Sequence, residues 1–179
     1  MRALTIVALL CAPMSAFAQS DPFEFKGIAL GSEIAAIESN PRFSCRIAND
    51  PIADQVCSLR FGEKETIAGA PIGTLLLFYY NGKLQTISIS FAAKDFLQVA
   101  DALKAKYGEG SAKTEAIMNR MGATFENRIV TWRKPGATAE AKRFSSKLDT
   151  SSVRFQTDAA MEEFKRRRGS TAKEQAKDL

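Results

Sequence analysis

Residues 74–91, TLLLFYYNGKLQTISISF, alternate in character on both sides of Asn81-Gly82. Alternation at period two marks strands, and Asn-Gly favours a two-residue hairpin turn because both positions need positive φ. A regular turn sets Tyr80 against Lys83, Tyr79 against Leu84 and Leu76 against Ile87. One face then carries Leu76, Phe78, Tyr80, Ile87, Ile89 and Phe91, and is the expected core face. The other carries Leu75, Leu77, Tyr79 and Leu84 beside Thr86, Ser88 and Ser90. That mixture suits either burial under a second layer or recognition, with Tyr79, Thr86, Ser88 and Ser90 as candidate binding residues.

The period then lengthens. Phe96, Val99, Leu103 and Tyr107 form one apolar stripe, predicting a helix over 95–107 with Asp95 as its cap and Gly108 as its left-handed stop. A shorter helix is expected over 32–39, capped by Ser32 and ended by Pro41. Period two returns in Arg128–Trp132, Thr138–Phe144 and Ser152–Phe155, with turns at Pro135-Gly136 and near 147–149. TDAAMEEFKRRRG reads as a closing helix, acidic early and basic late, stopped at Gly169. Helices do not alternate singly with strands, so the expected class is α+β. Antiparallel meanders carry helices packed on one face, with a hint of a repeated helix-then-meander unit.

The first residues change the boundaries of this fold. MRALTIVALLCAPMSAFA combines Arg2, a short apolar run and Ala16-Phe17-Ala18, the pattern of a cleavable export signal. The expected organisation is a signal peptide at 1–18, one domain at 19–168 and a flexible tail at 169–179. Lipidation at Cys11 is disfavoured because Leu10 occupies the position that needs a small residue. No other stretch is long and apolar enough for a membrane helix, so a periplasmic location is expected, with secretion as the alternative.

Export gives the cysteines their meaning. Cys45 and Cys57, with eleven residues between them, are expected to form a disulfide. Their spacing is far from Cys-x-x-Cys, and metal binding would need further ligands. Asp50 and Asp54 lie between them and are candidate binding groups on a stapled, pre-ordered loop.

Charge and composition narrow the chemistry. Residues 19–132 carry 12 basic and 13 acidic side chains, whereas residues 133–179 carry 12 and 7. The basic excess is mild, and with export it argues against nucleic acid. Its densest run, Lys165, Arg166, Arg167 and Arg168, suits a helix C-terminus or contact with an anionic lipid surface. The chain has no histidine. That removes histidine-based nucleophile systems and most zinc or copper sites. No carboxylate pair is placed for acid–base work, and no phosphate-binding glycine loop is present.

Phe25-Lys26-Gly27-Ile28-Ala29-Leu30-Gly31-Ser32-Glu33, followed by Cys45 and Cys57, resembles the opening of small exported bacterial α+β proteins of unassigned function. It is more loosely similar to β-lactamase-inhibitor-like proteins and outer-membrane-assembly lipoproteins. The latter carry a lipobox, which this sequence lacks, and no functional residue transfers. The resulting expectation is a periplasmic, non-catalytic interaction module acting without cofactor or metal. Its partner would be another envelope protein, as an inhibitor, immunity-like or assembly factor. The alternatives are a small-molecule carrier, which requires an apolar cavity between helix and sheet, and a carboxylate- or Lys-based hydrolase.

Overall fold

The computed structural model describes residues 21–50 and 53–175. Residues 1–20, which include the expected signal peptide and Cys11, residues 51–52 and residues 176–179 lie outside the described residues. The chain enters through a small hairpin, β1 (Glu24–Phe25) and β2 (Ile28–Ala29), and a one-turn helix α1 (Ala35–Glu38). This helix is shorter than expected, and Ser32 does not cap it; Ile34 sits at the cap without a side-chain hydrogen bond. Ser32 instead pairs through its backbone with Leu84, and Glu33 bridges to Lys83, so these residues extend along the Lys83–Leu84 segment rather than start a helix.

Four long strands follow: β3 (Phe43–Asp50), β4 (Ala53–Leu59), β6 (Ala70–Tyr80) and β7 (Lys83–Ala92), with a short β5 (Thr66–Ile67) beside β6. A 3-10 turn at Ala93–Asp95 leads into α2 (Phe96–Tyr107), which ends on Gly108 at φ 83° as its sequence requires. A second meander comprises β8 (Ser111–Met118), β9 (Thr124–Lys134), β10 (Ala137–Lys142) and β11 (Thr150–Thr157). The chain then runs into α3 (Asp158–Gln175), passing Gly169 without a left-handed residue there. An interior glycine costs an exposed helix only about 1 kcal/mol, too little to end one by itself.

The sheet order is β3-β4-β6-β7-β11-β10-β9-β8, antiparallel throughout. Each meander follows a helix, and the two join where β7 pairs with β11. The α+β class stands. α1 and α2 share the inner face, contributing Ile37, Phe96, Val99 and Leu103 to the core; α3 crosses to the opposite face.

Alternation assigns the faces, with one correction. The turn is as expected, with Asn81 at φ 50° and Gly82 at φ 71°, and Tyr79 pairs with Leu84. Beyond it the register slips: Phe78 pairs with Thr86, Leu77 with Ile87 and Leu76 with Ser88. Gln85 is an extra, bulged residue, and one such residue exchanges the faces of everything after it. Leu75, Leu77, Tyr79, Leu84, Ile87, Ile89 and Phe91 therefore form the buried side. Leu76, Phe78 and Tyr80, expected in the core, lie on the other side with Thr86, Ser88 and Ser90.

Specific contacts close the core. Phe23, Tyr107 and Phe155 stack with ring centroids 5.0–6.1 Å apart. Trp132 donates its indole N–H to the Gly108 carbonyl at 2.8 Å, tying the end of α2 to β9. Gly110 makes room for this: a Cβ there would lie 2.7 Å from Val130 and 2.8 Å from Trp132.

Candidate binding site beneath the C-terminal helix

Three neighbouring strands build the outer face. Their registers align Thr86 with Gln156 and Thr138, Ser88 with Arg154 and Glu140, and Ser90 with Ser152 and Lys142. The intervening residues, among them Ile87, Ile89, Val153, Phe155, Ala139 and Ala141, are buried in the core. Strand geometry therefore drives the polar set to the far side. Phe78 adjoins Thr86 from β6 and begins the apolar end of this surface.

The helix α3 roofs one end of that grid. Thr157 caps it, its hydroxyl accepting the Ala160 N–H at 3.1 Å and donating to the bulged Gln85. The same bulge that sets the faces thus also anchors the roof. Further along, the Arg167 guanidinium lies 4.9 Å from the centroid of the Tyr80 ring. Glu163 receives Arg166 at 2.7 Å and also Arg167, and these hydrogen bonds hold its carboxyl at about 2, well below the usual range.

Between roof and sheet lies a cavity of about 460 Å³. Phe78, Met161 and Phe164 supply its apolar walls, and Thr86, Thr138, Arg154 and Gln156 its polar floor. A second, more polar cavity of about 360 Å³ is lined by Ser88, Ser90, Ser152 and Lys142. The two share Glu140 and Arg154.

Polar groups here differ in their partners. Thr138 is 9% exposed, and its buried hydroxyl has no hydrogen-bond partner among the described residues. Buried polar groups are normally paired, so an orphan beside a cavity marks a place for a ligand or water. Glu140 pairs with Lys142 at 3.5 Å, and Lys165 with Glu162 at 2.8 Å. The Arg154 side chain has no ion pair or hydrogen bond among the described residues. The arrangement can shield an apolar group under α3 and offer a guanidinium and several hydroxyls beside it.

The sequence candidates separate. Thr86, Ser88 and Ser90 line the cavities, but Tyr79 does not join them, because the bulge places it on the inner face, fully buried. Burial pushes its hydroxyl up to about 12, with the Ser32 side chain acting in the opposite direction. Cys45 and Cys57 form a disulfide, but the segment between them is mostly strand rather than loop: they are directly opposed in the β3–β4 pair. Asp50 ends β3, and Asp54 accepts the Asn81 N–H at 2.8 Å, bracing the β6–β7 turn. Of the basic run, Lys165 reaches the cavity, Arg166 and Arg167 serve Glu163, and Arg168 is exposed.

Sequence reading missed Thr138, Glu140, Arg154 and Gln156. Their signal was the polar half of the alternation in β10 and β11, legible only once β11 is known to lie beside β7. Among the described residues no group of three or more Cys, Asp or Glu is placed to hold a metal. The other carboxylates with displaced pKa also shift downward: Glu65 to about 2 through Lys26, and Glu115 through Lys113. No family model matches the chain, and no curated protein or solved structure matches it either.

Proposed function

We propose that this protein is an exported, non-catalytic binding protein of the bacterial periplasm that takes up a small molecule between α3 and the outer face of its sheet. One observation carries the reading: the 460 Å³ cavity with an apolar roof and an unpartnered, buried Thr138 hydroxyl. Its volume falls within the range of about 300–1,000 Å³ usual for small-molecule sites. The leader-like N-terminal residues and the Cys45–Cys57 bridge support the location. The test is native mass spectrometry of protein purified gently from the periplasm. A discrete bound mass, lost in Met161→Trp at unchanged circular dichroism, supports the proposal. An empty protein that also fails to bind apolar fluorophores sinks it.

A second reading keeps an envelope protein as the partner. It is supported by β8, an edge strand in which seven of eight residues are exposed. Such an edge can accept a strand from another chain. Crosslinking from residue 114 in periplasm and outer membrane would recover that partner; an empty eluate counts against it.

A further inference from the structure

Resting on the small-molecule reading, we infer that the ligand is a single-chain anionic phospholipid, a lysophospholipid whose acyl chain lies under α3 and whose head lies on the serine shelf. The two cavities adjoin at Glu140 and Arg154 and are chemically unlike. Phe78, Met161 and Phe164 give the first cavity an apolar wall over its Thr86, Thr138 and Gln156 floor, while Ser88, Ser90 and Ser152 floor the polar one. A ligand filling both must be amphiphilic.

The sign of the head follows from charge pairing. Lys165 is matched by Glu162, while Glu140 lies between Lys142, 3.5 Å away, and Arg154, its cross-strand neighbour. Two cations against one carboxylate leave one net positive charge at the junction, and the Arg154 side chain is the one with no ion pair among the described residues. A guanidinium favours oxyanions that accept two parallel hydrogen bonds, carboxylate and phosphate above all. The polar compartment decides between them. Its 360 Å³ and its row of hydroxyl donors exceed what a bare carboxylate can fill or accept, whereas a glycerophosphate head uses both. One acyl chain rather than two is expected because, of these two adjoining cavities, one has an apolar wall and the other is polar.

The test is calorimetric titration of the purified protein with four probes below their micellar concentrations. These are lysophosphatidylglycerol, lysophosphatidylcholine, dodecanoate and glycerol 3-phosphate. The expected order puts lysophosphatidylglycerol first by at least tenfold. Arg154→Gln, at an exposed position that should leave the fold intact, is expected to weaken it about 10- to 100-fold, as for loss of a charged hydrogen bond. Equal binding of lysophosphatidylcholine overturns the anionic head and leaves the cavity reading standing. Equal binding of glycerol 3-phosphate overturns the acyl chain, and equal binding of dodecanoate overturns the phosphate. If no probe binds, this inference fails; a bound mass in the native protein would then still preserve the broader reading.

Discussion

The two faces of the sheet are made from alternate residues of the same strands, yet they do opposite work. On the inner face Ile87, Ile89, Val153 and Phe155 are at most 1% exposed and pack beneath α2. On the outer face Thr86, Ser88, Ser90, Arg154 and Gln156 sit one residue away in sequence and border open volume. The inner face stabilises the fold because close packing leaves no room for anything else. The outer face is left incompletely covered, and that is where a ligand can add contacts the chain does not make for itself.

This contrast breaks most severely at Phe155. Phe155→Ala removes a ring from the Phe23–Tyr107 stack and is expected to cost about 3–5 kcal/mol, read from the urea unfolding midpoint. Next comes the Cys45–Cys57 bridge, with a sequence separation of 12. Replacing both cysteines with serine is expected to cost about 3 kcal/mol by loop-entropy reasoning. Binding at the outer face should survive, since the bridge lies in the other half of the sheet.

A third perturbation touches neither face. Glu65 is held at about 2 by Lys26, the Thr66 N–H and Arg42. A carboxylate with a depressed folded pKa contributes stability that is complete above its ordinary value near 4.5 and lost as pH falls toward 2. Acid titration of stability should therefore slope downward through that window, and Glu65→Gln should flatten the slope. The smallest effect belongs to Ser88→Ala with Ser90→Ala, within about 0.5 kcal/mol of stability but measurably weaker for the head group.

How much of this was legible follows from where packing, rather than local pattern, decides. The period of α2 and its Gly108 stop were plain, because both are local. So was the Asn81-Gly82 turn. The faces of that hairpin were not, because a single bulged residue, Gln85, inverts the assignment and leaves no mark in the hydrophobic pattern. β8 escaped notice for a different reason: with seven of eight residues exposed, it has no buried face to generate an alternation. At the site, Thr86, Ser88 and Ser90 were visible as the polar positions of an alternating strand. Arg154 and Thr138 were not, since they reach the same place only through pairings distant in sequence.

Amide hydrogen exchange with and without lysophosphatidylglycerol tests the central claim most directly. The account predicts added protection concentrated in α3, residues 158–175, which the ligand would pin to the sheet, with no change in the β3–β4 hairpin or β8. Protection at either of those sheet edges, or none in α3, would contradict it.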